Sequence, residues 1–412
     1  MSRIVLKFGG TSVGSVERIN HVAKIVKSEV DLGNQIVVVL SAMAGETDRL
    51  INLTKELSND FQDSEFDVVI SSGEQVTAGA LSGLLNSLGI KAQSRLGWQI
   101  PIVTSGDHKS ARIEAIHSKE LINLLELNEV IVIPGFQGIN FEGRITTLGR
   151  GGSDTSAVAI AAAIDADFCD IYTDVDGVYT SDPNKVPTAK RLDKISYEEM
   201  LEMASLGAKV LQTRSVETAM NNDVVLRVLS SFSDIGEDKK GTLVCPEDSI
   251  ADKKIVTGVA ASTNDSKLTL TGIKDKPGVA AEILSVLADD GINVDMIVQN
   301  ISDDRKTTDL TYTVPNDESI RAKELMEGLS SSLSYKELIV DNNIAKISIV
   351  GVGMRSNAGV ASQMFRVLSQ NNINIDVIST SEIKISVLIN KGLTEKALNT
   401  LHDHFELGNT TN

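Results

Sequence analysis

The chain has 412 residues, of which 42% are hydrophobic and 23% are charged, as in ordinary soluble globular proteins. Its net charge of -17 and the absence of basic runs argue against a general nucleic-acid or membrane-surface binder. The length predicts about two to four domains. No apolar run approaches the roughly 20 residues that cross a membrane. We therefore expect a cytoplasmic protein.

The two cysteines, Cys169 and Cys245, lie far apart and form neither a CxxC pair nor a disulfide framework. We interpret both as reduced, structural residues. The five histidines show no metal-ligand spacing with the cysteines. The sequence therefore predicts no zinc site.

Roughly the first 245 residues alternate apolar, β-branched runs with amphipathic stretches. Six runs predict strands, at residues 4–6, 36–40, 68–71, 130–133, 170–173 and 224–228. Strands that are separated by helices predict a largely parallel sheet with helices on both faces. The polar stretch GTLVCPEDSIADKK marks a domain boundary at about residue 250.

Beyond this boundary the chain repeats itself. The segment DKPGVAAEILSVLADDGINVDMIVQ, from Asp275, aligns without gaps with SNAGVASQMFRVLSQNNINIDVIST, from Ser356. Each copy predicts the βαββαβ order of a small split-βαβ module. One interpretation is a duplicated domain that only mediates dimerisation. The other is a pair of ligand sensors, because N–H groups at a helix N-terminus suit the carboxylate of a small ligand.

The motif KFGGTS follows the first predicted strand and is neither a Walker A loop nor a GxGxxG motif. Gly9 and Gly10 let the backbone approach a ligand closely, and Lys7 adds a compact positive charge beside them. A tight turn with an exposed lysine explains the motif equally well when it is taken alone.

A second glycine-rich stretch, TLGRGGSDTSA, favours the ligand-binding interpretation. It offers backbone donors, the guanidinium of Arg150, which suits a carboxylate, and the acid Asp154. A structural glycine loop rarely needs such an arginine–acid pair. A third stretch, YTDVDGVYTSDPNKV, places Thr173 and Asp174 at a strand end, with Tyr179 after them. It suits a nucleotide base and ribose, and a long surface turn is the alternative.

These motifs occur together with SAMAGETDRL, SSGEQVTAGALSGLL and LGAKVLQTRSVE, in the order found in aspartokinases. The repeat resembles the tandem ACT regulatory domains of that family, and the similarity covers essentially the whole chain. The resemblance implies an α/β amino-acid-kinase fold, with a mainly parallel sheet between helices, over residues 1–247. It also implies two ferredoxin-like ACT domains, at residues 262–340 and 341–412.

The resemblance further implies a reaction and its place in metabolism. The enzyme would use ATP and Mg²⁺ to phosphorylate the side-chain carboxylate of L-aspartate, which yields 4-phospho-L-aspartate. This is the first step of lysine, threonine and methionine biosynthesis. No protein cage for the metal is expected, because Mg²⁺ binds largely through nucleotide phosphates and water.

Two residues are expected to be catalytic. By resemblance, Lys7 stabilises charge on the transferring phosphoryl group, and Asp154 matches the catalytic aspartate of the family. A carboxylate acceptor is already ionised near neutral pH, so it needs no general base. We therefore expect Asp154 to organise the lysines and Mg²⁺ rather than to remove a proton.

The substrate side combines an acid with an arginine. Glu74 matches the residue that holds the substrate ammonium, and Arg150 matches the clamp for a substrate carboxylate. Together they would reject analogues that lack either group. A charge at a helix N-terminus is the alternative for Glu74. The expected substrate-binding residues are Ser41, Thr47, Glu74, Arg150, Gly152 and Ser153.

The expected ATP-binding residues are Lys7, Phe8, Gly9, Gly10, Thr173, Asp174, Tyr179, Asn184, Lys185 and Lys209. Many relatives have arginine where this chain has Asn184, and Lys185 is a candidate substitute for that contact. Lys209 could equally be a solvated helix lysine.

The resemblance implies feedback inhibition by lysine, threonine or both. Effectors would bind to ACT domains that pair between the subunits of a homo-oligomer, and some relatives also produce a separate ACT regulatory subunit. In the first repeat, the matching effector positions are Asp275, Gly278, Ala280, Gln299 and Asn300. In the second repeat, they are Met354, Asn357, Gly359, Val360, Asn374, Asp376, Thr380 and Ser381.

Two other functions compete with this interpretation. A related carboxylate kinase would act on glutamate or N-acetylglutamate, but Glu74 counts against an N-acylated substrate and the paired repeat counts against both. A catalytically silent, amino-acid-binding regulatory subunit is the second rival. The presence of Lys7, Arg150 and Asp154 favours an active enzyme.

Overall fold

The computed structural model describes residues 1–127, 129–206, 210–233, 240–251, 254–301 and 306–408. The chain divides into two compact units. The first comprises Met1–Val178 and Arg191–Asp252, and the second comprises Tyr179–Lys190 and Lys253–Asn412. Within the described ranges, none of the helices has the length and apolar character needed to span a membrane.

The elements of the first unit are numbered in chain order. Its strands are β1 (Arg3–Phe8), β2 (Gln35–Leu40), β3 (Ala92–Ser94), β4 (Ile102–Thr104), β5 (Ile113–Ile116), β6 (Val130–Pro134), β7 (Gln137–Ile139), β8 (Ile145–Thr147), β9 (Phe168–Thr173), β10 (Lys194–Ser196), β11 (Leu226–Ser230) and β12 (Thr242–Cys245). Its helices are α1 (Val16–Asp31), α2 (Glu46–Leu57), α3 (Asp63–Ile70), α4 (Ser72–Ser87), α5 (Lys119–Glu126), α6 (Gly152–Ala163), α7 (Tyr197–Ser205) and α8 (Thr213–Asn221).

An eight-stranded sheet forms the centre of this unit, in the order β10-β12-β11-β9-β1-β2-β6-β3. Neighbouring strands are parallel except for β11 and β12, as the alternation of strands and helices predicts. Leu6, Val38 and Leu81 are fully buried in one apolar core of the unit, which includes residues of α1 and α4. Helix α6 packs against β1, β2 and β9 through small side chains such as Ala157 and Ala161. A smaller sheet follows the order β5-β4-β7-β8.

The prediction of a strand at residues 68–71 is wrong, because Val68 lies within helix α3. The backbone N–H of Ser71 donates to the carbonyl of Asp67 at 3.1 Å, and α4 begins at the next residue. A short apolar run in a helix has the same composition as a buried strand, and here Ile70 is buried whereas Val68 is exposed. The last predicted strand, at residues 224–228, is shifted and begins at Leu226.

The second unit contains the repeated modules. Its strands are β13 (Gly258–Ser262), β14 (Asp265–Lys274), β15 (Val298–Ile301), β16 (Thr307–Pro315), β17 (Glu337–Asp341), β18 (Ile344–Val350), β19 (Val377–Thr380) and β20 (Lys384–Asn390). Its helices are α9 (Val279–Asp289), α10 (Ser319–Gly328), α11 (Ser330–Leu333), α12 (Val360–Gln370) and α13 (Thr394–His404).

The two modules are nested rather than consecutive. The first has the sheet order β15-β16-β14-β17, the βαββαβ arrangement that its sequence predicts. The second has the order β13-β18-β20-β19, so its edge strand comes from before the first module in the chain. Val259 of β13 pairs with Ile349 of β18 in antiparallel register. The expected limits at residues 262–340 and 341–412 leave most of β13 outside both modules.

The segment Tyr179–Lys190 belongs to the second unit although it interrupts the first in sequence. Its Val186 is fully buried in an apolar core with Val259, Ile347 and Leu401. The side chain of Val186 thus anchors this segment in the core of the module that contains β18.

Polar contacts hold the same segment. The Oγ1 of Thr180 lies 2.9 Å from Nε2 of the fully buried His402, and Oγ1 of Thr188 lies 3.3 Å from its Nδ1. Asn399 donates from Nδ2 to the carbonyl of Lys185 at 2.9 Å. Helix α13 therefore fixes the segment at both of its ends and near its middle.

Candidate active site

The candidate site lies at the carboxyl ends of β1, β2 and β9. These strands are parallel neighbours, so the residues that follow them meet at one edge of the sheet. Ser41, after β2, donates its backbone N–H to the carbonyl of Phe8 at 3.1 Å, and Gly9, after β1, donates to that of Tyr172 at 3.4 Å. Ligands of open, mainly parallel sheets bind at this edge.

Lys7 and Asp154 form the central ion pair of this edge. Lys7 Nζ lies 2.5 Å from Asp154 Oδ1, and each side chain is 10% exposed. Asp154 occupies the first turn of α6, where the helix dipole favours a negative charge. A Cβ atom at Gly9 would lie 3.5 Å from the Lys7 ammonium, so this charge is held directly beside bare backbone.

Two glycines give the surrounding loops their shape. Gly151 precedes α6 with φ 73°, in the left-handed region, and a Cβ there would collide with Gln212. A Cβ at Gly10 would lie 3.0 Å from the carbonyl oxygen of Ala42. The N–H of Ala44 donates to the carbonyl of Gly10 at 3.2 Å, so the KFGG and SAMAG loops touch.

Glu74 is a buried acid in the first turn of α4, with 3% of its surface exposed. Burial raises the pKa of its carboxyl group to about 7, although hydrogen bonds from the backbone of Glu74 and of Ala42 act in the opposite direction. Its Oε2 atom has no hydrogen-bond partner among the residues that the structure describes. Such a group has a free lone pair and gains from a cation that replaces the lost water.

Helix α4 brings Glu74 to the loop that follows β2. Thr77 donates from Oγ1 to the carbonyl of Ser41 at 2.9 Å. A Cβ at Gly73 would lie 2.8 Å from Cβ of Ala42, so the two segments are in direct contact. Thr47, in the first turn of α2, is partly buried. The predicted residues Ser41 and Glu74 therefore share one end of the site.

The TLGRGGSD loop contributes a further set of predicted residues to the site. Ser153 is 8% exposed, and its atoms lie within 2.9 Å of the place that a Cβ at Gly135 would occupy. Gly152 is buried, whereas Arg150 is exposed. The structure therefore brings Ser153 and Asp154 into the interior of the edge and leaves the arginine at its solvent side.

The predicted nucleotide-binding residues fall into three groups. The first group lies at the ends of β1 and β9. Thr173, the last residue of β9, donates from Oγ1 to Oδ1 of Asp174 at 3.1 Å. The ring of Phe8 stacks on that of Tyr172, with centroids 4.6 Å apart. Tyr179, Asn184 and Lys185 belong to the second unit, and Lys209 lies outside the described residues.

Three predicted effector positions of the first module, Gly278, Gln299 and Asn300, have equivalents among those of the second, at Gly359, Thr380 and Ser381. Gly278 and Gly359 adopt left-handed conformations, with φ 95° and 93°, directly before α9 and α12. Asp275, Gln299, Asn300, Asn357, Asn374, Asp376, Thr380 and Ser381 are exposed, Ala280 and Met354 are partly buried, and Val360 is buried.

The comparisons with known proteins agree with this architecture. The family model for the amino acid kinase family matches residues 2–230, and the ACT domain model matches residues 268–327 and 347–405. The chain is 52% identical to an aspartate kinase of Pseudomonas fluorescens, over 99% of this chain and 98% of that protein.

Two solved structures are similar over almost the full length. E. coli aspartokinase III in complex with aspartate and ADP superposes with a TM-score of 0.81 and 26% identity, over 97% of this chain and 99% of that one. Its complex with lysine and aspartate gives a TM-score of 0.78 and 27% identity, over 98% and 99%.

The fold, the glycine-lined sheet edge and the paired modules define an amino-acid kinase with ACT regulatory domains. The sequence identity of 52% over nearly the full length identifies one family within this class. The chain belongs to the aspartokinase family, and its enzymatic class is that of the aspartate kinases. The family, the α/β fold and the kinase class that the sequence predicts are thereby confirmed.

Proposed function

We propose that this enzyme transfers the γ-phosphoryl group of ATP to the side-chain carboxylate of L-aspartate, which yields 4-phospho-L-aspartate. The observation that supports the reaction most is the Lys7–Asp154 ion pair beside the backbone of Gly9. The relative solved with aspartate and ADP supports the choice of both ligands.

Phosphoryl transfer requires mainly positioning and neutralisation of charge. Lys7 supplies a positive charge for the transferring group, and Asp154 fixes the ammonium at 2.5 Å. The backbone N–H groups at the start of the short 3-10 helix Gly10–Val13 add donors for phosphate oxygens. The acceptor carboxylate is already ionised, so Asp154 has no proton to remove.

We assign recognition of the amino acid to opposite sides of the same edge. Glu74 Oε2 accepts from the substrate ammonium, and this contact lowers the pKa of Glu74 again because it favours the ionised form. Arg150 pairs with a substrate carboxylate at the solvent side. Ser41, Thr47, Gly152 and Ser153 complete the proposed substrate-binding set.

We assign the nucleotide to the segments after β1 and β9. The proposed contacts are Lys7, Phe8, Gly9, Gly10, Thr173, Asp174, Tyr179, Asn184, Lys185 and Lys209. Mg²⁺ prefers hard oxygen ligands, which the carboxylates of Asp154, in the first turn of α6, and Asp174, directly after β9, would offer. When bound, Mg²⁺ would neutralise charge on the phosphates.

We further propose that lysine, threonine or both inhibit the kinase by binding to the ACT modules. The relative solved with lysine and the matching left-handed turns at Gly278 and Gly359 support this regulation. Pairing of ACT modules between subunits, domain limits at residues 1–247, 262–340 and 341–412, and a cytoplasmic role in lysine, threonine and methionine biosynthesis complete the proposal.

Trapping of the acyl phosphate with hydroxylamine tests the reaction. The purified protein is mixed with MgATP, hydroxylamine and either L-aspartate, L-glutamate or N-acetyl-L-glutamate, and the hydroxamate is measured. We expect product with L-aspartate alone, and less product when lysine, threonine or both are added. Two outcomes would contradict the proposed function. One is hydroxamate formed from L-glutamate rather than from L-aspartate, and the other is no ATP-dependent hydroxamate from either amino acid.

A further inference from the structure

Asp67 is a fully buried carboxylate that the proposed site does not include. It gathers donors from two other segments of the first unit. Its Oδ2 lies 2.7 Å from Nδ1 of His108, and its Oδ1 accepts from Oγ1 of Thr147 at 2.6 Å. The backbone N–H of Lys109 lies 3.2 Å from both oxygens.

One connection from Asp67 leads to Glu74. The carbonyl of Asp67 accepts from the N–H of Ser71 at 3.1 Å, where α3 ends and α4 follows. The carbonyl of Ser71 in turn accepts from Nε2 of Gln137 at 2.9 Å. Glu74 lies in the first turn of α4, so the position of α3 determines where this acid stands.

The other connection leads to Arg150. Thr147 ends β8, and only Leu148 and Gly149 separate it from the arginine. Gly149 has φ 76°, and a Cβ there would lie 3.1 Å from the carbonyl of Lys109. The carbonyl of Thr147 also accepts from the N–H of Ala111 at 2.9 Å. The loop that contains His108 therefore contacts the segment before Arg150 on the same side as Asp67.

We propose that Asp67 is a positioning residue for the amino-acid substrate. It holds the segment of Glu74 and the segment of Arg150 at a fixed separation, and His108 and Thr147 are the donors that complete this junction. The proposal rests on the substrate-binding roles assigned above to Glu74 and Arg150. A buried carboxylate is costly unless it is fully hydrogen-bonded, and an apolar side chain could fill the same space at lower cost.

The kinetic signature of this role is selective for one substrate. A junction between the two amino-acid contacts governs binding of L-aspartate and leaves the segments after β1 and β9 unchanged. We expect Asp67→Asn to raise the KM for L-aspartate at least about tenfold, since small misplacements of binding groups are costly. The KM for ATP should change by less than about twofold.

A pair of neighbouring threonines supplies a matched control. Thr147→Val removes the donor to Asp67, whereas Thr146→Val removes a hydroxyl that lies 2.5 Å from that of Thr104. Both residues are fully buried in β8. We expect Thr147→Val to raise the KM for L-aspartate and Thr146→Val to leave it near the original value. His108→Asn, which keeps a donor, should retain more affinity than His108→Ala.

Steady-state kinetics of each variant, with calorimetric titration of L-aspartate, decide the proposal. Equal changes in both KM values, or equal effects of Thr147→Val and Thr146→Val, would overturn it. If Asp67→Asn does not fold, the comparison of Thr147→Val with Thr146→Val decides the proposal. If the unaltered protein binds L-aspartate without turning it over, the proposed function fails while titration still tests Asp67. If it does not bind L-aspartate, both proposals fail.

Discussion

The ammonium of Lys7 lies 2.5 Å from the carboxylate of Asp154, although Lys7 is on a strand and Asp154 is on a helix from a later part of the chain. Both side chains are almost excluded from solvent. A buried ion pair contributes little net stability, because desolvation offsets the attraction between its charges. The arrangement is therefore best explained by catalysis, which needs a fixed positive charge.

The first prediction concerns this pair. Lys7→Met removes the charge, and Asp154→Asn keeps the shape of the side chain but releases the ammonium. We expect each to lower kcat by a factor of about 100 to 1,000, the usual loss when a preorganised electrostatic group is removed. The measurement is steady-state kcat with MgATP and L-aspartate.

Lys27→Met serves as the control for charge removal. Lys27 is 47% exposed and pairs with Asp31 within α1, so its loss should leave kcat almost unchanged. An Asp154→Asn variant with the kcat of the unaltered enzyme would show that Asp154 does not organise Lys7.

The second prediction concerns Glu74 and pH. The ionised form binds the substrate ammonium, and the pKa of the free group is about 7. The KM for L-aspartate should therefore fall as the pH rises from about 6 to about 8. In Glu74→Gln, the KM should be high and should lose this dependence. A KM for the unaltered enzyme that stays constant over this range would contradict the role of Glu74.

The same shift affects the stability of the free protein. The pKa of Glu74 is higher in the folded than in the unfolded chain, so its stabilising contribution is present at low pH and is lost as the pH rises from about 4.5 towards 7. Glu74→Gln should therefore stabilise the first unit above about pH 7, by on the order of 1–3 kcal/mol. The single tryptophan, Trp98, lies in that unit and reports its unfolding by fluorescence. Equal stability of both proteins at high pH would contradict this cost.

The third prediction concerns reciprocal ion pairs between the two modules. Lys346 of β18 pairs with Asp295 of the first module and lies 3.6 Å from Asp265. Lys267 of β14, at the equivalent position of its own repeat, pairs with Asp376 of the second module at 3.1 Å. The side chain of Lys346 is 7% exposed and that of Lys267 is 16% exposed.

We expect Lys346→Met to lower the free energy of unfolding of the second unit by about 1–3 kcal/mol, because it leaves the largely buried Asp265 without its cation. Lys267→Met should cost less, since neither of its partners, Asp341 and Asp376, is as buried as Asp265. Lys323→Met, at an exposed pair within α10, is the control and should change little. Calorimetric unfolding measures all three, and equal effects would show that the modules do not depend on these contacts.

The fourth prediction concerns His402. Burial lowers the pKa of its imidazole, although the negative charge of Asp403 acts in the opposite direction. A lowered histidine pKa means that the unfolded chain binds more protons, so the second unit should lose stability as the pH falls below about 6.5. His402→Gln loses one of the two contacts that the imidazole makes with Thr180 and Thr188, which should lower the free energy of unfolding by about 1–3 kcal/mol. The stability of the variant should also depend less on pH, because glutamine does not bind a proton.

Hydrogen exchange of Tyr179–Lys190 measures the effect of His402 locally. Exchange rates are first corrected for the intrinsic effect of pH. In the unaltered protein, we expect this segment to be less protected from exchange at about pH 5.5 than at about pH 7.5. A local role for the imidazole would be contradicted if this segment exchanged only through global unfolding and if its pH dependence were the same in His402→Gln.

The sequence predicted the parallel sheet and the positions of its ligand-binding loops because both depend on local patterns. The runs that form β1, β2 and β9 are mostly apolar, with Lys7 and Asp170 among the exceptions, and the KFGG, SAMAG and YTD motifs lie at or directly after their carboxyl ends. Parallel strands bring such loops to one edge without further information. Asp154 is different, because it follows β8 of the smaller sheet, and only the resemblance of TLGRGGSD to the aspartokinase motif predicted that it shares a site with Lys7.

Three features depend on contacts that no local pattern records. Asp67, His108 and Thr147 belong to separate segments, and each has an ordinary sequence context. The strand β13 joins the second module across the whole length of the first. Val186 lies in a turn-like segment, and only the fold of the second unit shows that it is buried. Long-range pairing of this kind is set by tertiary packing.

Identification of the trapped product tests the central claim most directly. After reaction with MgATP, L-aspartate and hydroxylamine, the hydroxamate is purified and its position on the aspartate skeleton is determined by nuclear magnetic resonance. We predict the side-chain hydroxamate, formed at similar rates by the unaltered enzyme and by Lys27→Met, and about 100 to 1,000 times more slowly by Lys7→Met. A hydroxamate at the α-carboxylate, or release of ADP without any hydroxamate, would contradict the proposed reaction.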